Sequence, residues 1–189
     1  MGRTVATAKR KLTYDDYVLF PDDGKRHELI DGEHYVTPSP NLRHQRVLLN
    51  LTLLLGAFVR ERSVGQVFFA PLDTLLSPHD VVEPDLLFVS NARTEILTAP
   101  NVKGAPDLVV EVLSPSNRRH DEVLKLELYE RAGVTEYWLV DPEAETVKVF
   151  RRSGDRFARA ELYSRRDGDL VNTALLPGLD VALEAVFAD

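Results

Sequence analysis

Apolar side chains recur every three or four positions between Asn41 and about Arg62. This spacing places them on one stripe and predicts an amphipathic α-helix. Asn41 fits the N-cap position, because its short amide side chain can accept from a backbone amide of the first turn. We expect Gly65 to end the helix. The stripe consists of His44, Leu48, Leu51, Leu55 and Phe58.

Two extended runs precede this helix and meet at an Asp-Gly pair. The runs Arg26–Ile30 and Glu33–Thr37 flank Asp31-Gly32. Such a pair tolerates positive φ at both central turn positions, so it predicts a β-hairpin. Further upstream, Thr13-Tyr-Asp-Asp16 resembles a capping box and predicts a short helix ending at about Phe20.

Valine- and leucine-rich runs in the rest of the chain predict strands, several of them buried. A second helical pattern extends from about Asn117 to Ala132, with Gly133 as its C′ residue. A hairpin and a short closing helix complete the chain. The predicted strands are Gln66–Ala70, Asp73–Leu76, Val81–Val89, Asp107–Leu113, Thr135–Val140, Thr146–Phe150 and Arg156–Tyr163.

These elements predict one α/β (α+β) domain over residues 12–189, with a mixed central sheet flanked by helices. The N-terminal hairpin is an addition to that core. Residues 1–11 are polar and basic without an apolar segment, and we expect them to form a flexible arm.

The composition restricts the possible chemistry of the protein more than it restricts the possible folds. The chain has no cysteine, so thiolate metal sites and cysteine nucleophiles are excluded. Any metal would need oxygen or histidine ligands, and oxygen ligands favour Mg²⁺ or Mn²⁺. No apolar run approaches the roughly 20 residues of a membrane span, and no signal peptide is evident, so we expect a cytoplasmic protein. The net charge of −7 is unusual for a nucleic-acid binder.

Two acidic residues lie within apolar runs that predict strands. Asp85 follows Pro84 in one run, and Glu111 lies in Asp-Leu-Val-Val-Glu-Val-Leu. Burying a carboxylate is costly unless it is paired or binds a metal. A single acidic residue of this kind is more often part of a structural ion pair. Two of them, on strands that can pair with each other beside the same helix, favour a functional site. Asp107 is a weaker candidate, because it can lie at an exposed strand end.

Lys125 and His44 are further candidates. Lys125 lies one helical turn from Asp121 and from Tyr129, and an exposed Asp121–Lys125 ion pair explains it without a function. His44 lies in the first turn of its helix, on the apolar stripe. Two roles remain open for His44: a core histidine whose hydrogen bonds are satisfied within the protein, or a contact to the phosphate of a substrate.

The order of elements and several sequence blocks resemble the Uma-two family of bacterial restriction-endonuclease-like proteins. The resemblance covers Leu12 to Phe187. It implies the core of the PD-(D/E)XK nuclease superfamily, in which Pro84-Asp85 supplies the first acid and Glu111 the second. The blocks are Pro84-Asp85, Asp-Leu-Val-Val-Glu-Val-Leu-Ser-Pro-Ser116, Asp121 to Lys125, and Tyr129-Glu-Arg-Ala-Gly-Val-Thr-Glu-Tyr-Trp-Leu-Val-Asp-Pro142.

One position departs from that motif. Leu113 stands two residues after Glu111, where the motif has lysine. In this family the lysine is on the following helix, and Lys125 matches it. Glu28 matches an early acidic position of the family and would be an outer member of the site.

The resemblance implies a metal-dependent endonuclease that leaves 5′-phosphate products. Asp85, one oxygen of Glu111 and the carbonyl of Val112 would bind Mg²⁺, with Mn²⁺ as a substitute, and Lys125 would hold the attacking water. Glu28 would assist, and His44 would contact the substrate. DNA is the expected substrate, with RNA left open, and a homodimer is expected by analogy with related nucleases.

Two other functions stay open at this point. The displaced lysine and the acidic net charge also fit a catalytically silent module that binds nucleic acid or a protein. A hydrolase of small phosphodiesters would use the same residues. Ser114 and Ser116 lack the Gly-x-Ser-x-Gly context of a nucleophile, so we expect them to turn the chain and cap the helix.

Overall fold

A computed structural model of the chain describes residues 10–114, 118 and 120–189. Helix α1 (Tyr14–Tyr17) begins at Thr13, whose backbone amide donates to Asp16 Oδ2 over 2.9 Å, as the capping box predicts. Strands β1 (Arg26–Ile30) and β2 (Glu33–Thr37) form the predicted hairpin. Its two turn residues, Asp31 and Gly32, both have positive φ, of 53° and 74°.

Helix α2 (Leu42–Arg62) is the long amphipathic helix that the sequence predicts. The side chain of Asn41 accepts from the backbone amide of His44 over 2.9 Å, so Asn41 is the N-cap. The prediction that Gly65 ends the helix is wrong, because the left-handed C-cap residue is Ser63. Gly65 instead begins the next strand, where a Cβ would lie 2.3 Å from the carbonyl oxygen of Val89.

The hairpin belongs to a five-stranded sheet in the described part of the chain. Its order is β2-β1-β5-β4-β7, and only the β4–β7 pairing is parallel. The three strands added to the hairpin are β4 (Thr74–Ser77), β5 (Asp80–Val82) and β7 (Val102–Lys103).

The larger sheet is the predicted mixed central sheet. Its order is β11-β10-β9-β8-β6-β3, and β12 also pairs with β10. β8 and β9 are parallel, and the other neighbours are antiparallel. Its strands are β3 (Gly65–Phe69), β6 (Leu86–Ser90), β8 (Leu108–Val112), β9 (Glu136–Asp141), β10 (Thr146–Ser153), β11 (Arg156–Phe157) and β12 (Glu161–Ser164).

The prediction of one strand over Val81–Val89 is wrong. β5 ends at Val82 and β6 begins at Leu86, and the two strands belong to different sheets. Pro84 lies between them, and proline has no amide hydrogen to continue a ladder. Asp85 therefore lies at the junction of the two sheets, directly before β6, and not inside a strand.

The second predicted helix contains a change of winding. His120–Lys125 is π-helical, and α3 (Leu126–Ala132) continues from it to Gly133, which has the predicted left-handed conformation. π-Helical turns inside helices are frequent at functional sites. The predicted start near Asn117 and the predicted capping role of Ser116 lie outside the described residues.

Helices cover both faces of the central sheet. Val47, Leu51 and Leu55 of α2 pack on the face that carries Val110 and Trp138. On the opposite face, Leu128 and Tyr129 of α3 pack against Val109 and Leu113 of the β8 segment. The alternation along β8 thus sends successive side chains to different cores, and Glu111 shares the α3 face with Val109 and Leu113.

The C-terminal segment closes over the α2 side. Strands β13 (Leu170–Asn172) and β14 (Asp180–Ala182) form a separate hairpin, which the sequence did not predict. Helix α4 (Leu183–Val186) is the predicted closing helix. Of the helices in the described ranges, none combines the length and the hydropathy of a bilayer-crossing segment. The domain boundaries and the flexible arm stay predictions.

Candidate active site

Asp85 is held by three donors from three different elements. Its Oδ1 accepts from Arg26 Nη1 of β1 at 2.8 Å. Its Oδ2 accepts from His44 Nε2 of α2 at 3.0 Å and from the backbone amide of Val112 at 2.9 Å. The start of β6 lies beside the end of β8 because Leu86 pairs with Val110. This antiparallel register brings Asp85 to the C-terminal end of the strand that carries Glu111.

Glu111 is buried and receives two hydrogen bonds from the helix above it. Lys125 Nζ and Tyr129 OH donate to Glu111 Oε1 at 2.9 and 2.6 Å. Lys125 itself is 3% exposed. The exposed Asp121–Lys125 pair considered from the sequence is therefore not what the structure has, and Asp121 Oδ1 lies 3.8 Å from Nζ, beyond hydrogen-bond distance.

Glu28 completes the acidic shell around Lys125. Glu28 Oε1 lies 2.9 Å from Lys125 Nζ and also accepts from the backbone amide of Glu83 at 3.0 Å. The residue is 1% exposed. A lone strand glutamate is ordinarily exposed, so this burial depends on the cation that reaches it from the helix.

The two central carboxyl groups have opposite electrostatic environments. Burial pushes the pKa of Asp85 upward, but the hydrogen bonds and charges of His44 and Arg26 outweigh it and lower that pKa to about 2. Burial raises the pKa of Glu111 to about 8, and the Lys125 ammonium opposes that rise. Burial disfavours the charged form of Lys125, yet the surrounding carboxylates hold its pKa well above the ordinary value. Separated pKa values of this kind are typical of acid–base and metal sites.

These groups line one small cavity of about 20 Å³. This volume is enough for about one water molecule or a single ion. Asp85 and Glu111 both face it, together with Lys125, His44 and the end of β8. Ser114 also lines it.

The donor chemistry of the cavity fits a hard divalent cation, since two carboxylates and a strand-end carbonyl are oxygen ligands. Yet over residues 10–114, 118 and 120–189, no group of three or more His, Asp or Glu side chains has metal-binding geometry. Asp85 and Glu111 instead contact Arg26, His44 and Lys125 within the protein. Any ion would therefore compete with these internal donors for the two acidic side chains.

Asp107 lies outside the cavity. It is buried and accepts from the backbone amide of Ser90 at 2.7 Å, with Arg93 Nη1 at 3.5 Å. It is a structural acid at the opposite end of β8, although it is not the exposed strand end considered from the sequence.

Three residues of the site were not singled out from the sequence. Arg26 binds Asp85, Tyr129 binds Glu111, and Glu83 donates its backbone amide to Glu28. Tyr129 carried a weak signal, because it lies one turn after Lys125 on the predicted helix. Arg26 and Glu83 carried none, because their roles depend on the packing of the hairpin against the central sheet.

Comparisons with known proteins agree with this architecture. A solved structure from Anabaena variabilis, described as "a putative nuclease", superimposes with a TM-score of 0.79 and 20% sequence identity over 94% of this chain and 98% of that chain. This likeness shows the shared fold. A search of curated proteins finds no match. The Uma2 family model, described as "Putative restriction endonuclease", matches residues 14–184. The chain therefore belongs to the Uma2 family of restriction-endonuclease-like proteins.

Proposed function

We propose that the chain is a metal-dependent endonuclease that hydrolyses phosphodiester bonds of nucleic acid at the Asp85–Glu111–Lys125 cavity. One observation carries the proposal. A strand junction, a central strand and a π-helical turn deliver two carboxylates and an ammonium group to one cavity of about 20 Å³. Burying three ionisable groups costs free energy of folding, and such clusters are typical of functional sites.

Asp85, Glu111 and the carbonyl of Val112 are the residues that would hold Mg²⁺ or Mn²⁺. The Val112 amide donates to Asp85, and a strand residue directs its N–H and C=O to the same edge, so its carbonyl is expected to face the same side. When bound, the ion would polarise a phosphoryl oxygen and lower the pKa of a coordinated water.

Lys125 is suited to position the attacking water. Lys125 Nζ donates to Glu111 Oε1, forms an ion pair with Glu28, and lines the cavity. Its ammonium group carries three N–H donors, and one of them would serve a water molecule or a phosphoryl oxygen on which negative charge develops. Glu28 acts through Lys125 by fixing the position of its ammonium group. His44 orients Asp85 by donating to Oδ2, and we assign it this positioning role in addition to the substrate contact expected from its sequence position.

A catalytically silent binding module is the second candidate. Arg26, His44 and Lys125 already donate to the two acids, and this observation favours a fold that is stable without metal. A hydrolase of small phosphodiesters has no separate structural support.

The test measures cleavage of end-labelled single- and double-stranded DNA and RNA in Mg²⁺ or Mn²⁺, beside a chromogenic phosphodiester. We expect wild-type protein to cleave nucleic acid, and Glu111→Gln, which preserves size, to lose at least about 100-fold in rate. Glu95→Gln, at an exposed position on a 3₁₀ helix, is the matched control and should retain full activity. Undiminished cleavage in excess chelator would eliminate the metal mechanism. Metal binding without any turnover would favour the silent module.

A homodimer is proposed only by analogy with nucleases that cut both strands. Light scattering of the purified protein tests it. A monomer at all concentrations would contradict it.

A further inference from the structure

Phe69 is an exposed aromatic side chain beside the candidate active site. Among the aromatic residues in the described part of the chain, only Phe69 is exposed, at 59%. It ends β3 and pairs with Leu86, the residue after Asp85. The backbone amide of Ala70 donates to the carbonyl oxygen of Asp85 at 3.1 Å. Because paired strands lie about 4.8 Å apart, the sheet itself holds Phe69 close to this acidic residue.

Phe69 lines a hollow between the end of β3 and helix α2, with a volume of about 210 Å³. Leu48, Leu49 and Thr52 line it from the helix, and Leu49 is 57% exposed. The hydroxyl group of Thr52 donates to the carbonyl oxygen of Leu48 at 2.7 Å, so the helix presents mainly apolar groups. An apolar cavity of about 150 Å³ accommodates benzene. The Phe69 hollow therefore has room for a flat ring of pyrimidine size.

A groove of about 410 Å³ connects the Phe69 hollow to the small cavity of the site. It shares Arg26, Gln45 and Ala70 with the hollow, and Arg26 and Thr37 with the cavity. Arg26 thus lines all three spaces, and it donates to Asp85 at 2.8 Å. The cavity of about 20 Å³ has room for an ion or a water molecule but not for a sugar or a base. A strand whose phosphate reaches Asp85 must therefore place its sugar and base in the groove and the hollow.

Electrostatic attraction along this path is weak. Lys25 and Arg26 line the groove and are suited to contact phosphates. Asp22 and Glu83 line the same groove, and the chain has a net charge of −7. A polyanion therefore gains little from the charges alone, and the apolar hollow is the feature that can add affinity.

We propose that one unpaired base of a nucleic-acid strand stacks on Phe69 in the hollow that Leu49 also lines. This inference rests on the proposed function, because it places a phosphate of the same strand at Asp85. Single strands gain affinity by stacking on aromatic side chains, and every base has a π face, so the contact tolerates any base. A base in a duplex is paired and already stacked, so it enters such a hollow only when it is single-stranded or flipped out.

The surroundings of Phe69 favour a base over an apolar protein surface. Single exposed apolar side chains are common on proteins and need no function. Phe69, however, shares its hollow with a second exposed apolar side chain, Leu49, and with the side chain of Arg26. The hollow also continues into a groove that leads to the proposed phosphodiester site. A base, which is joined to its phosphate through one sugar, fits this order of an apolar space, a cation and an acidic cavity.

The test measures binding of fluorescent single strands by anisotropy in chelator, so that no cleavage occurs. One strand is a thymidine homopolymer, and the other is a sugar–phosphate backbone of equal length without bases. We expect wild-type protein to bind the thymidine strand about 10-fold more tightly, the value of one stacked base. Phe69→Ala should bring this ratio close to one, whereas Phe69→Trp should keep it because the indole ring preserves stacking. Leu162→Ala is the matched control. Leu162 is 63% exposed on β12, which pairs with β10 and not with β3, so this variant should keep the wild-type ratio.

Equal affinity of wild-type protein for the two strands, or no measurable binding of either, would overturn the proposal without any variant. An unchanged ratio in Phe69→Ala would overturn the stacking contact. If Phe69→Ala weakens binding of a thymidine–adenosine duplex as much as binding of the single strand, the occupant is not an unpaired base. An unchanged ratio together with loss of self-association in light scattering would overturn the base and assign the hollow to a second copy of the chain.

Failure of this inference and failure of the proposed function give different results. Base-dependent binding that Phe69→Ala removes, in a protein that cleaves nothing in Mg²⁺ or Mn²⁺, would support the base site and remove the nuclease. Cleavage by a protein whose binding does not depend on bases would support the nuclease and overturn the base site.

Discussion

Lys125 Nζ lies 2.9 Å from Glu111 Oε1, and both side chains are almost fully buried. The lysine belongs to the π-helical turn and the glutamate to a central strand. This contact brings the relocated lysine to the acidic residue of the motif, although 14 positions separate them in the chain. It also makes the site a buried ion cluster, in which removal of one partner leaves the other buried and unpaired.

Lys125→Ala should reduce the free energy of unfolding by about 3–5 kcal/mol, because it leaves Glu28 and Glu111 buried without their cation. Urea unfolding followed by circular dichroism measures this change. Lys148→Ala is the matched control. Lys148 pairs with Glu122 at 3.3 Å while 45% exposed, so its loss should cost less than about 1 kcal/mol.

The double variant Lys125→Met/Glu111→Gln distinguishes the effect of an unpaired buried charge from the effect of lost packing. It removes the cation and one carboxylate together, and we expect it to be more stable than Lys125→Ala. If the two variants are equally stable, burial of Glu111 without a partner is not the cause of the stability lost in Lys125→Ala.

Tyr129→Phe should cost about 1–2 kcal/mol of stability, because it deletes the donor to Glu111 and preserves the ring in the α3 core. A lower kcat at unchanged KM is the expected kinetic effect, since Tyr129 positions Glu111 and does not line the cavity itself. Tyr163→Phe removes a 2.6 Å hydrogen bond to Glu161 in an exposed setting and should leave both quantities nearly unchanged. Similar losses in the two variants would contradict the positioning role.

The stability contribution of Asp85 should depend on pH. Its pKa is lowered from the ordinary 3.8 to about 2, so the folded state holds the ionised form more tightly than the unfolded state does. The contribution is therefore fully present above about pH 4 and is lost as the pH falls through about 2. It amounts to about 2 kcal/mol at neutral pH.

Unfolding of wild-type protein and Asp85→Asn at several pH values measures this effect. The stability difference between them should be largest near pH 6 and should shrink by pH 3. A difference that stays constant over this range would show that the ion pair of Asp85 with Arg26 and its hydrogen bond with His44 do not stabilise the fold.

Thr173→Val should loosen the C-terminal hairpin from the central sheet. Thr173 Oγ1 donates to Glu136 Oε2 at 2.8 Å, and Trp138 Nε1 donates to Glu136 Oε1 at 2.6 Å. Valine preserves the shape but leaves one buried oxygen of Glu136 with fewer donors, at a cost of about 1–3 kcal/mol. Hydrogen exchange of β13 and β14 should accelerate in this variant, and unchanged protection there would refute the anchoring role.

The local sequence determined most of the elements. The Asp31-Gly32 turn, the Asn41 cap, the stripe of α2 and the Gly133 C′ residue were predictable, because each depends on the conformational preference of a few neighbouring residues. The same local reasoning failed where a distant segment decides the outcome. Pro84 divides one apolar run between two sheets, and Gly65 is needed for the close approach of Val89 to β3.

For the site, the sequence by itself determined which residue types were available: two acids in apolar runs, a displaced lysine, and no cysteine. Only the tertiary structure decided that Lys125 is buried between Glu28 and Glu111, and that Arg26 and His44 donate to Asp85. The physical reason is that burial and ion pairing are properties of packed elements. A charged residue has the same local signature whether its partner is water or a carboxylate contributed by another strand.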